Sequence, residues 1–170
     1  MIYVHEFTMA VLVKNKYGVL NRVTSMFRRR RFNIRSLSVS ETETDEFSRI
    51  TVTSFGDDTE KRQLADQLSK LEDVCVVREL TAKDSVGFEL LLIKIRNDPE
   101  NRPAVRDTAD SYGAETVDYT RDSVILKLTG STRRISAFID LMRDFSILEI
   151  CRTGVASLER GNTTIRQVKI

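Results

Sequence analysis

Apolar and polar positions along the chain change period several times, and the same succession occurs twice. Phe7 to Lys14 is a run rich in Val and Leu, which reads as a strand. From Gly18 to Arg31 the apolar residues Val19, Leu20, Val23, Met26 and Phe27 recur every three or four positions, the spacing of an amphipathic helix. Two strands follow, Phe32 to Glu41 and Phe47 to Phe55, joined by an acidic turn around Glu43 and Asp45. Thr59 to Leu71 predicts a second helix with Leu64, Leu68 and Leu71 on one face, and Val74 to Leu80 a closing strand.

After the polar stretch Thr81 to Gly87 the order repeats. Phe88 to Ile95 reads as a strand, and Pro103 suits the first turn of a helix whose Val105, Ala109 and Tyr112 share a stripe. Gly113 ends that helix. Glu115 to Tyr119 and Ser123 to Leu128 form a tight hairpin, Ser131 or Thr132 caps a helix carrying Ile135, Phe138, Ile139 and Met142, and Ile147 to Arg152 closes the unit.

The expected fold class is therefore α+β: two tandem ferredoxin-like βαββαβ domains, residues 1–82 and 83–170, each an antiparallel sheet with two helices on one face. Halves of this size bury modest cores. Apolar residues at both parities, as in Leu90-Leu91-Leu92-Ile93, call for a second layer on the other sheet face, from the other domain or a second protomer.

Composition narrows the function. Lys and Arg total 27 against 25 Asp and Glu, spread evenly over the two halves, so neither has the positive field of a dedicated nucleic-acid binder. No apolar run approaches the ~20 residues of a membrane span, and the N-terminus lacks a signal pattern, so a cytoplasmic protein is expected. His5 is the sole histidine, and no HExxH, CxxC or glycine-rich phosphate motif occurs, which leaves catalysis and metal binding without a visible seat. Cys75 and Cys151 stand in apolar stretches and are expected to be buried free thiols.

One stretch could hold a ligand. Lys14 to Val23 ends a strand, turns at Gly18 and opens a helix at once, so unpaired first-turn N–H groups and the helix dipole suit a carboxylate. Gly18 permits close backbone approach, and the Asn15 and Asn33 amides could accept from an ammonium and donate to a carboxylate. The same residues would serve equally as a plain β-to-α turn and a capped connection.

Asn15-Lys16-Tyr17-Gly18-Val19-Leu20-Asn21-Arg22-Val23, then Phe27 and Arg31-Phe32-Asn33-Ile34-Arg35-Ser36-Leu37-Ser38-Val39, resemble the ACT domain of acetolactate synthase small subunits. Phe47 to Thr51, Val76 to Leu80, Glu89 to Ile95 and Arg152 to Ala156 extend the resemblance over almost the whole chain. It implies an N-terminal ACT domain that pairs across a homodimer interface and binds a branched-chain amino acid, usually valine, for feedback inhibition. It also implies a large catalytic subunit that the chain activates and that carries thiamine diphosphate, Mg and FAD, with no cofactor in this chain. Asn15, Gly18, Val19, Leu20, Asn33 and Ile34 become the effector-binding residues, the asparagines gripping the polar ends and the apolar residues facing the side chain.

Arg28-Arg29-Arg30-Arg31 ends the first helix, either as a solvated terminus that complements the dipole or as an electrostatic contact with the large subunit or a nucleic acid. An RNA-binding module shares the βαββαβ order, but Phe47 to Ser54 lacks the alternating aromatics that stack bases. A tandem ACT regulator of another amino-acid pathway is the remaining alternative.

Overall fold

The computed structural model describes residues 4–166. The first four-stranded sheet is built from β1 (His5–Lys14), β2 (Ile34–Glu41), β3 (Phe47–Gly56) and β4 (Val74–Leu80), in the order β2-β3-β1-β4 with antiparallel neighbours. Helices α1 (Val19–Arg29) and α2 (Asp58–Leu68) connect β1 to β2 and β3 to β4. Period-two alternation sends Phe7, Met9, Val11 and Val13 of β1 toward the helices, where Val23, Phe27, Ile50, Val52, Leu64 and Leu68 complete the core. Each such side chain, fully buried, contributes about 1.5–3 kcal/mol. α2 opens on a complete capping box, Asp57 accepting from Thr59 and Glu60 while the Glu60 carboxylate accepts from the Asp57 amide.

The second half repeats the plan with β5 (Ser85–Arg96), α3 (Arg102–Ser111), β6 (Glu115–Tyr119), β7 (Ser123–Gly130), α4 (Thr132–Met142) and β8 (Ile147–Arg152), in the order β6-β7-β5-β8. Leu91, Ile93, Ile95, Val105, Leu126, Ile135, Phe138 and Met142 form its core. Buried Glu89 on β5 accepts from Arg152 Nε and from the Thr132 hydroxyl, pinning β8 and the start of α4 together. The expected α+β class and tandem ferredoxin-like units are what the structure has. No helix among the described residues is long and apolar enough to cross a membrane.

The compact units are divided differently from a single cut after residue 82. Residues up to Val86 together with those from Gly154 onward form one unit, and Gly87–Thr153 the other. A short ninth strand, β9 (Ala156–Glu159), lies in the returning segment, where the Ser157 hydroxyl donates to the Val86 carbonyl. Ile165 buries itself with Ala10, Leu12 and Leu80 on the face of the first sheet that the helices leave bare, flanked by Phe47 and Val76. Glu159 accepts from Arg49 at 3.2 Å and Arg78 at 3.5 Å, and Arg166 lies 5.0 Å over the Phe47 ring. This C-terminal strap covers Ala10 and Leu12 on the first sheet, whereas Leu90, one of the residues that called for a second layer, stays exposed on β5. Gly154 makes it possible, because a Cβ there would stand 2.6 Å from the carbonyl carbon and oxygen of Leu37.

Both cysteines are free, as expected, but exposed rather than buried. Cys75 falls at the register break where Leu12 pairs with Val76 and Val13 with Val74, so it has no opposite residue on β1. Cys151 lies on edge strand β8 opposite Leu92, on the face away from Leu91 and Ile93 of the core.

Candidate functional site

The loop between β1 and α1 is held from two sides. On one, the Asn15 amide N–H donates to the Glu46 carbonyl at 2.8 Å, and Asn15 Nδ2 donates to Glu41 Oε1 at 3.0 Å and the Asp45 carbonyl at 2.9 Å. On the other, buried Asp73 pairs with Arg22 at 2.9 Å and Lys16 at 3.9 Å, while its carbonyl accepts from the Lys14 amide. The start of α1 is therefore clamped between the β2–β3 hairpin and the approach to β4.

Gly18 is the N-cap of α1 at φ 79°, a left-handed conformation that suits a residue without a Cβ. It supplies no side-chain cap, and the first turn of α1 holds no acidic residue. The Val19 N–H turns back to the Lys16 carbonyl at 3.3 Å, and the N–H groups of Leu20 and Asn21 stay open at the positive end of the helix dipole, the arrangement that receives a carboxylate. With both Asn15 Nδ2 hydrogens given to the hairpin, Oδ1 is the group left over, and it can accept from an ammonium. Leu20 is 41% exposed and supplies an apolar wall beside these groups.

The other expected residues lie elsewhere. Val19 is buried in the core with Val23 and Phe27. Asn33 and Ile34 stand at the opposite end of β2 from the Glu41 that binds Asn15. Seven steps at roughly 3.3 Å separate Ile34 from Glu41, a little over ~20 Å. Ile34 packs against the core, whereas Asn33 is exposed and fixed through its carbonyl, which accepts from Ser54 Oγ at 2.9 Å. A free amino acid spans about 7 Å, two Cα spacings at most. One chain cannot close Asn15 and Asn33 around it.

Glu41, Asp45 and Asp73 were not singled out by their spacing. The acidic hairpin turn is visible in the sequence, but nothing there ties it to Asn15, and Asp73 leaves no trace. The cavity lined by Val19, Arg22, Leu71 and Asp73 is about 10 Å³, room for little more than one water. A much larger open cleft of about 910 Å³ lies in the second unit between α3 and β6, where Arg96, Arg102 and Arg106 face Asp107 and Asp110. Its charges are mixed, and Arg106 pairs with Asp110 at 3.8 Å.

Comparison with known proteins matches both units. Residues 9–76 fit the profile described as an AHAS small subunit-like ACT domain, and residues 88–161 that of the small subunit of acetolactate synthase. A probable acetolactate synthase small subunit of Archaeoglobus fulgidus is 47% identical over 91% of this chain and 97% of its own length. The acetolactate synthase small subunit of Bacillus subtilis is 39% identical, covering 88% and 87%. The crystal structure of the Thermotoga maritima acetolactate synthase small subunit superposes with a TM-score of 0.85 at 34% identity, covering 94% of this chain and 99% of that one.

Proposed function

Because the chain belongs to the acetolactate synthase small-subunit family and is a regulatory subunit of that enzyme, we propose that it senses a branched-chain amino acid, best fitted by valine, and conveys its level to a large catalytic subunit. The acetolactate-forming chemistry, with its thiamine diphosphate, magnesium and flavin, resides in that large subunit, which this chain activates in the cytoplasm. Three groups of one loop read the zwitterion: the open N–H groups of α1 take the carboxylate, Asn15 Oδ1 takes the ammonium, and Leu20 meets the aliphatic side chain.

One observation carries the reading further: about 20 Å of β2 separates the Asn15 end from Asn33. The effector is therefore held between two copies, the loop Asn15 to Leu20 from one and Asn33 from the other. β2 is an edge strand with Val39 exposed, and such an edge is free to meet its counterpart. Asn33→Ala and Asn15→Ala should each weaken valine binding roughly tenfold or more, the cost of a hydrogen bond to a charged group. In a dimer of one Asn15→Ala chain with one Asn33→Ala chain, one of the two sites is intact. Calorimetry on the re-annealed mixture should recover tight binding in a fraction of sites. No recovery, with both single variants defective, would place the whole site in one chain and defeat the proposal. Acetolactate assays on the large subunit, with and without the chain and valine, test activation and inhibition directly.

A further inference from the structure

The two ends of β2 carry opposite charge. At its start stand Arg28, Arg29, Arg30 and Arg31, all exposed and with no acidic partner among the described residues. At its finish the hairpin presents Glu41, Glu43, Asp45 and Glu46, also exposed. Glu41 receives Asn15 and Glu43 receives Arg166, while Asp45 and Glu46 have no ion pair among the described residues. The ends are about 20 Å apart, more than twice the ~8 Å Debye length at physiological ionic strength, so they do not neutralise each other within one chain. The edge of the first sheet is a fixed dipole.

Arg31 is the fourth member of the cluster. It adopts φ 59°, the single positive-φ non-glycine among the described residues, just past the end of α1. Glycine takes that conformation freely, and a long side chain enters it at a cost.

We propose that the arginine cluster of one copy docks on the acidic hairpin of a second copy, latching the β2 edges together antiparallel. An isologous pair turns the second dipole through 180°, so positive meets negative at both ends, whereas a parallel pairing sets like against like. The latch rests on the two-copy reading of the effector site and deepens it. It fixes the register that brings Asn33 of one copy to the loop of the other, and the hairpin that receives the arginines is the one that grips Asn15.

The test uses the full chain and its dissociation constant for dimerisation, measured by sedimentation without effector. Between 0.05 and 0.5 M NaCl the wild-type constant should rise roughly tenfold or more as screening sets in. A chain bearing Arg28→Glu, Arg29→Glu and Arg30→Glu, and a second bearing Glu43→Lys, Asp45→Lys and Glu46→Lys, should each dimerise at least ~30-fold more weakly through like-charge contact. Mixed one to one, they should restore wild-type affinity, because both latches of the heterodimer are then complementary. Failure of the mixture to recover, or wild-type dimers from either variant alone, overturns the latch. So does loss of retention on a polyanionic matrix, or of large-subunit binding, with the dimer unchanged, since the arginines would then serve a nucleic acid or the large subunit. A wild-type chain that binds valine while monomeric defeats the two-copy reading itself, and a charge-insensitive dimer defeats the latch alone.

Discussion

Asn15 gives both hydrogens of its side-chain amide to the β2–β3 hairpin, one to the Glu41 carboxylate at 3.0 Å and one to the Asp45 carbonyl at 2.9 Å. The turn residue and the hairpin tip are thereby one mechanical piece. Asn15→Asp removes both donors and places a carboxylate against two acceptors. It should lower stability by about 1 kcal/mol, the site being exposed, and valine affinity more than tenfold. Paired thermal melts and calorimetry separate the two effects. Asn15→Asp binding valine normally would show that the hairpin grip is irrelevant to the ligand.

The strap makes a second prediction. Gly154→Ala drives a Cβ to within 2.6 Å of the Leu37 carbonyl group, which backbone cannot yield without moving. Glu159→Ala leaves Arg49 and Arg78 half-buried without their shared carboxylate, a change that typically costs about 3–5 kcal/mol when the pair is fully buried and less here. Both variants should expose the outer face of the first sheet. Limited proteolysis should then cut first within 154–166, and a dye for exposed apolar surface should brighten. Protection equal to wild type would mean that the strap holds without either residue.

In the second unit Glu89 has the corresponding part. Its carboxylate, buried at 4% exposure, is the counter-charge of Arg152 and the acceptor for Thr132. Glu89→Ala should cost about 3 kcal/mol, and Glu89→Gln less because an acceptor oxygen remains. Hydrogen exchange should show the loss in β5, β8 and α4 and spare β1 and β3. Uniform loss over the whole chain would show that Glu89 supports more than its own unit.

Lys61 gives the first unit a small pH-dependent contribution. Its ammonium lies 2.7 Å from Glu79 and 2.9 Å from Asp58, and the hydrogen bond to Glu79, then that to Asp58, raises it above the ordinary lysine range. The hydrogen bond from Lys61 in turn lowers the Asp58 carboxyl. The lysine contribution is complete below the ordinary lysine pKa and lost as pH climbs through the raised one. The Asp58 contribution is present above the ordinary aspartate value and lost as pH falls through the depressed one. Lys61→Met should flatten both flanks of a stability profile and lower Tm at neutral pH by no more than ~4 °C, as fits a surface pair. A profile identical to wild type would show that the triad is without effect.

Much of this was legible beforehand because period is a local property. The doubled βαββαβ order follows from apolar residues spaced by two or by three and four, and β1, α1, β3 and β8 fall within two residues of their expected bounds. The helix-opening glycine and its uncapped turn were also readable, since they depend on neighbours in sequence. What escaped depends on neighbours in space. Val19 and Leu20 are equally apolar, and it is the rotation of α1 that buries the first and exposes the second. Asn15 and Asn33 look like partners at 18 residues' separation, yet a strand of eight residues holds them apart. Cys75 is turned outward by a bulge that no residue type announces. The strap escaped because Ala156 to Arg166 is polar apart from a few positions, and Ile165 alone does not signal which face it will cover.

The strap also fixes the order in which a nascent chain can be completed. Gly87–Thr153 is an insertion in the first unit, so the β1–β4 sheet leaves the ribosome with Ala10, Leu12 and Leu80 still bare. The insertion, whose core closes on itself, is whole before Glu159 and Ile165 have been synthesised. The amino-terminal unit therefore finishes last, reversing the usual vectorial sequence, and its outer face needs shielding for the time taken to translate the remaining half of the chain.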